Sequence, residues 1–383
     1  MRILTTALPE GGVSPMSRLI VAKVGSSTLM GEGAELDLDF VRSLCAQICE
    51  LRRRGDRVVL VSSGAAAVGR SILGFTERPS DIPTLQACAA AGQTSLIERY
   101  AEVLADDGVA CGQVLLTRGD VVDRTGYLNA RNTFERLLEL GVVPIVNEND
   151  TVSVREFSFG DNDMLGAIVA SLIDADLYVI LSDIDGLYTA NPDTHPDARL
   201  LERVERVDAE VVAMAGGVGS SYGTGGMATK VRAARAMLAA GIPMVICRGR
   251  GRDALVEAVE GRGRHTLFKG PAGSGHEQAR KLWIGLAGVA RGSVTVDAGA
   301  ARALERGGAS LLPVGVTRVD GRFDAGDTVD VLDPDGRLIA RGLARYSSDE
   351  LWQVHGLRLD VIARFLPDRA DCPAIHRDEL LVF

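Results

Sequence analysis

Leu19-Ile-Val-Ala-Lys-Val24, followed at once by Gly25-Ser26-Ser27, is the stretch from which the fold is read. An apolar run of this length, closed by a glycine turn, predicts a strand buried on both faces. The same unit recurs downstream. Phe40, Leu44, Ile48 and Leu51 follow at helical spacing, and Val58-Val-Leu-Val61 is the next run, with an Ala-rich helical segment behind it. Val142-Val-Pro-Ile-Val146, Leu177-Tyr-Val-Ile-Leu181 and Pro243-Met-Val-Ile-Cys247 continue the series to about residue 260. Buried strands alternating with helices predict an α/β fold around a mostly parallel central sheet. No repeat at a fixed period is present.

A polar or glycine-rich segment follows each strand in turn: Gly25-Ser-Ser27, Ser62-Ser-Gly64, Asn147-Glu-Asn-Asp150 and Ser182-Asp-Ile-Asp-Gly186. In open α/β sheets the ligand crevice lies beyond the carboxyl ends of the strands, so these loops are expected to converge on a site. Lys23 stands inside the first apolar run, where a buried cation is costly without an anionic partner. An edge-strand lysine reaching for solvent is the alternative. A second lysine, Lys230, lies 207 positions on, in Gly223-Thr224-Gly225-Gly226-Met227-Ala228-Thr229-Lys230. Its glycines permit close approach of backbone to ligand. Met227 opens a helical pattern, and a glycine turn feeding a helix with a nearby cation suits phosphate oxygens. The spacing fits neither a Walker A loop nor a dinucleotide-binding G-x-G-x-x-G; as an isolated loop it also reads as a linker. Paired with Lys23, it places two point charges on a transferring phosphoryl group.

Asn147-Glu148-Asn149-Asp150 and Gly160-Asp161-Asn162-Asp163 flank one loop. Asn and Asp favour turns and helix caps. Two dense clusters together also suit a small zwitterion, Asp accepting from an ammonium and Asn donating to a carboxylate. Ser63 and Gly64 add a hydroxyl and a backbone N–H, and Ser182-Asp183 forms a candidate nucleotide-contacting pair. None of the five histidines stands in a catalytic setting.

A chain of 383 residues suggests two domains. Its 46% hydrophobic and 24% charged content is that of a soluble globular protein. A net charge of −9 argues against a chain built to coat nucleic acid or anionic membrane. The six cysteines include no C-x-x-C pair; Cys45 and Cys49 read as one buried helical face. A cytoplasmic location is expected, since no signal peptide or membrane-length apolar run is present. Residues 1–17 read as a flexible extension, with Met16 an alternative start, and 18–260 as the catalytic domain. The glycine-rich 261–280 read as a linker. Ser293–Asp297, Thr328–Leu332 and Leu338–Leu343 alternate as short strands, the last two joined by the Asp333-Pro-Asp-Gly336 hairpin signal. They predict a small β-rich domain over 281–368, with a tail at 369–383. Residues 281–383 carry 13 Lys and Arg against 15 Asp and Glu, which disfavours RNA binding there.

Residues 19–250 resemble the amino acid kinase family, in particular its branch that phosphorylates glutamate. The matching elements are Val-Ala-Lys23-Val-Gly-Ser-Ser, Val-Ser-Ser63-Gly-Ala, Leu128-Asn-Ala-Arg-Asn132, Pro144 to Thr151, Gly160-Asp-Asn-Asp163, Asp185-Gly-Leu-Tyr188 and the Gly223–Lys230 loop. Ala90-Ala-Gly-Gln-Thr94 and Trp283-Ile-Gly fit the same assignment, and the C-terminal part resembles a PUA domain. Ser26-Ser27 and Ser62-Ser63 replace commoner Thr-containing pairs and keep a hydroxyl. The resemblance implies a three-layer αβα sandwich. It implies ATP binding by Lys23, Ser182, Asp183, Thr224, Gly225, Gly226, Met227, Ala228, Thr229 and Lys230. Ser63, Asp150 and Asn162 are then expected to hold L-glutamate. Lys23 and Lys230 stabilise the phosphoryl group with Asp163 orienting them, and Mg2+ is carried with the nucleotide rather than by protein side chains. It further implies inhibition by L-proline, a homo-oligomer, and hand-off to glutamate-5-semialdehyde dehydrogenase. Acetylglutamate, aspartate or carbamate as acceptor, and RNA-binding regulation through the C-terminal domain, are the alternatives.

Overall fold

The computed structural model describes residues 17–31, 35–122, 124–152, 162–216, 226–271, 290–306 and 308–382. Among them, eight strands form one sheet: β1 (Leu19–Val24), β2 (Arg57–Ser62), β3 (Cys111–Leu116), β4 (Val143–Glu148), β5 (Leu177–Ser182), β6 (Arg203–Val204), β7 (Met244–Arg248) and β8 (His265–Phe268). Their spatial order is β3-β4-β2-β1-β5-β7-β8-β6. All neighbours run parallel except β7 and β8. The fully buried β1 lies between β2 and β5, as a run apolar at every position but Lys23 demands.

Helices cover both faces. They are α1 (Ser26–Leu29), α2 (Leu38–Arg53), α3 (Ala65–Ile72), α4 (Ile82–Asp106), α5 (Arg118–Val122), α6 (Arg124–Glu139), α7 (Asn162–Leu172), α8 (Ala209–Met214), α9 (Met227–Ala240) and α10 (Ala254–Val259). Alternation along β1 divides the core. Leu19 and Val21 face a cluster with Phe134 of α6, Leu165 and Ile168 of α7, and Ala233 and Met237 of α9. Ile20, Ala22 and Val24 face Leu44 and Ile48 of α2, Tyr100 of α4 and Leu255 of α10. This is the expected αβα sandwich. Cys45 and Cys49 lie on the buried face of α2, and burial pushes the Cys45 thiol up to about 12. Backbone contact fixes α3 on α4: a Cβ on Gly69 would lie 1.7 Å from the Cys88 carbonyl, and one on Gly92 would lie 1.9 Å from that of Ala65. Only glycine permits such an approach, and it anchors the loop that carries Ser63.

A second sheet, in the order β10-β9-β11-β12-β13, is built from β9 (Gly292–Val296), β10 (Val316–Gly321), β11 (Thr328–Leu332), β12 (Leu338–Leu343) and β13 (Leu380–Val382). The hairpin signal is realised: Asp333 Oδ1 accepts from the N–H groups of Asp335 and Arg337 at 3.0 and 2.9 Å.

The structure departs from the sequence reading at weakly patterned segments. β8 lies inside the stretch read as a linker. Thr266 and Phe268 are buried and His265 and Leu267 only partly so, and four residues are too few to show a period. β13 lies inside the stretch read as a tail, where Leu380 pairs with Gly342 and Leu381 is buried. β3 is an edge strand with five of its six residues outside full burial, so it lacks an apolar run. Nearly all of the proposed 1–17 extension, and residues 272–280 of the proposed linker, lie outside the described residues.

Candidate active site

Lys23 shares the side of β1 that faces α7 and α9. It is 5% exposed on a central strand, so the reading of an edge-strand lysine is excluded. Its Nζ lies 2.5 Å from Asp163 Oδ1. Lys230, in the first turn of α9, lies 3.2 Å from Oδ2 of the same carboxylate. The Thr229 hydroxyl donates to that oxygen at 2.9 Å. Asp163 thus bridges two lysines that are 207 residues apart in sequence, at 0% exposure. Burial acts to raise its carboxyl, but the charges of Lys23 and Lys230 outweigh it and hold the group below the ordinary carboxylate range. Tyr178 of β5 fixes this turn from below, its hydroxyl donating to the Asp163 carbonyl at 2.8 Å. Gly166 makes room: a Cβ there would come within 2.3 Å of the tyrosine oxygen.

Neutral side chains dominate the other wall. Asn162, the residue before Asp163, places its Nδ2 2.9 Å from Ser63 Oγ, 3.0 Å from the Ser62 carbonyl and 2.8 Å from Asn147 Oδ1. Asn147 Nδ2 in turn donates to Gln93 Oε1 on α4 at 2.8 Å. Ser62 Oγ and Tyr100 Oη are 3.0 Å apart. These bonds fix which way each amide points, with carbonyl and NH2 ends assigned by their partners. Asp150 follows β4. Burial, and then the nearby charge of Glu148, push its carboxyl up to about 6.

Between the walls lies a cavity of about 540 Å³, a volume suited to small-molecule ligands. Of the residues anticipated from sequence, Lys23, Ser63, Asp150, Asn162, Ser182, Gly226 and Lys230 line it. Asp163 lies buried against the two lysines. Met227, Ala228 and Thr229 form the first turn of α9. Asp183 is exposed and is not among the lining residues; it accepts a 2.9 Å bond from Oγ of Ser182, which is. Thr224 and Gly225 lie outside the described residues, as do Gly160 and Asp161. Sequence reading gave no role to Gln93, Tyr100, Gly166 or Tyr178. Each acts through a partner between 12 and 54 positions away, and no local pattern carries such a signal.

The model of the amino acid kinase family matches residues 18–248, and that of the PUA domain matches 292–366. A glutamate 5-kinase from Geobacter sp. (strain M21) is 46% identical over 363 residues, 95% of this chain and 97% of its own. One from Meiothermus ruber is 47% identical over 362 residues, 94% of each. A solved carbamate kinase from Giardia lamblia bound to AMP-PNP shares 18% identity, with a TM-score of 0.49, over 66% of this chain and 99% of that one. The chain belongs to the amino acid kinase family and, within it, to the glutamate 5-kinases.

Proposed function

We propose that the protein transfers the γ-phosphoryl group of ATP to the γ-carboxylate of L-glutamate, giving γ-glutamyl phosphate and ADP at the start of proline synthesis. The observation that carries this reading is the bridge of Lys23 and Lys230 on Asp163, set beside a wall of amides. A carboxylate oxygen of glutamate attacks the γ-phosphorus while the bond to the β–γ bridging oxygen breaks. The nucleophile is already ionised at pH 7, so no general base is required. Charge spreads over the equatorial oxygens, and Lys23 and Lys230 neutralise it. An ammonium has three donors, so the bond to Asp163 does not exhaust either lysine. Asp163 sets their spacing, while Ser182, Asp183 and residues 224–230 hold the nucleotide.

Ser63 donates its hydroxyl to the amino acid, while Asn162, whose NH2 is held by Ser62, Ser63 and Asn147, offers its Oδ1 to the ammonium beside Asp150. Among the described residues, no group of three or more His, Cys, Asp or Glu side chains could hold a metal ion. Both oxygens of Asp163 are taken by lysines, so the Mg2+ of this reading travels on the nucleotide phosphates. L-Proline, itself a zwitterion, competes at the Asp150 wall. An acyl phosphate hydrolyses readily, which favours prompt consumption by glutamate-5-semialdehyde dehydrogenase. A homo-oligomer in the cytoplasm completes the proposal; among the described residues no helix is long and apolar enough to cross a membrane.

Trapping the acyl phosphate with hydroxylamine tests it. Hydroxamate formed from MgATP and L-glutamate, and suppressed by L-proline, is expected. Turnover with acetylglutamate, aspartate or carbamate but not with glutamate overturns the acceptor assignment.

A further inference from the structure

Thr28 is the third residue of α1 and lines the cleft at 1% exposure. Its backbone N–H is used, donating to the Gly25 carbonyl at 3.1 Å. Its hydroxyl is not: Oγ1 is fully buried and has no hydrogen-bond partner. A hydroxyl taken out of water without a partner destabilises the fold, and native structures keep few such groups. Valine has nearly the same shape and lacks that penalty. One other buried side-chain atom among the described residues lacks a hydrogen bond, Asp163 Oδ1, but it has the Lys23 ammonium at 2.5 Å. Thr28 has no such compensation.

Its surroundings indicate which kind of acceptor it faces. A Cβ on Gly249, just past β7, would lie 2.9 Å from both Thr28 Cγ2 and Leu181 Cβ. The Gly249 N–H donates to the Ser182 carbonyl at 2.7 Å. Thr28 is therefore wedged at the carboxyl ends of β5 and β7, beside Ser182. Asn147 and Asp150 belong to β4 and the turn after it, on the other side of β1 and β2. We propose that the Thr28 hydroxyl is a further donor to a phosphoryl oxygen of the bound nucleotide, an inference that rests on reading Lys23 and Ser182 as the nucleotide side. One rotamer step about χ1 moves the threonine hydroxyl to a new position. From its buried position in the cleft wall, it turns to the acceptor when the nucleotide enters.

The full-length protein carrying Thr28→Val is the test, read by thermal unfolding without ligand, by titration with a non-hydrolysable ATP analogue, and by KM for each substrate. Unliganded Thr28→Val is expected to melt no lower than the parent. It is expected to bind the analogue about tenfold more weakly, the loss of one charge-assisted bond, with glutamate KM within about twofold. Thr28→Ser, which keeps the hydroxyl, is expected to retain analogue affinity even if its melting temperature falls. Unchanged analogue affinity in Thr28→Val with a raised melting temperature overturns the proposal. A rise in glutamate KM alone overturns it as well. Lys23→Met separates the two levels. If it weakens the analogue and Thr28→Val does not, only the threonine contact fails. If neither does, the nucleotide assignment of this side fails with it.

Discussion

One side of the cleft sets two lysines on a single buried carboxylate; the other sets Ser63, Asn162, Asn147 and Gln93 in a neutral chain, with the half-buried carboxyl of Asp150 lining the same cavity. The first is held by charge, and each member is intolerable without the others. The second is held by directional hydrogen bonds, which specify orientation at lower cost. A centre meant to meet charge that develops during reaction needs fixed charges. A pocket meant to recognise a zwitterion needs fixed donors and acceptors and one group that changes its protonation. Damage to the two sides should therefore surface in different kinetic constants.

The largest effects are expected on the charged side. Lys230→Met or Lys23→Met should lower kcat by about 10²–10³-fold, the scale for losing one transition-state donor, while glutamate KM stays within about twofold. Equal losses in kcat and glutamate affinity would erase the division. Asp163→Asn leaves two buried cations facing a neutral amide, and denaturant unfolding should show about 3–5 kcal/mol of lost stability. A stability change near zero would mean that the bridge is not what holds this region.

On the neutral side, Gln93→Leu should raise glutamate KM about tenfold by freeing the Asn147 amide to rotate, with ATP KM unmoved. The proton on Asp150 supplies a comparable effect. Its carboxyl titrates at about 6, well above its ordinary range, because burial and then the charge of Glu148 disfavour ionisation. Below that pH the unliganded protein carries the proton and cannot accept from an ammonium. Glutamate KM should therefore rise about tenfold from pH 7 to pH 5, and Asp150→Asn should remove the slope. Tyr178→Phe is the mildest change. Losing one hydrogen bond behind Asp163 should cost kcat about threefold, with KM values unchanged; a KM shift instead would link Tyr178 to the other side.

The central strands were legible because β1, β4, β5 and β7 are each built on a mostly apolar run, a pattern that burial on both faces imposes. β6 and β8 are two and four residues long, and β10 carries exposed Thr317 and Arg318, so none shows a period to read. The site was legible where its chemistry is local: Lys23 before a glycine turn, Lys230 after one, and Asn162-Asp163 at a helix start. That Asp163 touches both lysines is a fact of β1, α7 and α9 packing. Gly166 reads as a poor helix residue until Tyr178 is seen to need its space. Thr28 reads as a small helix residue until its hydroxyl is found without a partner.

The most direct test of the division is Asp150→Ala assayed with each substrate varied in turn. A rise in glutamate KM of about 10²-fold, the cost of losing a charge-assisted contact to an ammonium, with ATP KM within about twofold, is the predicted result. A rise in ATP KM with glutamate KM unchanged would contradict it, because Asp150 would then belong to the nucleotide.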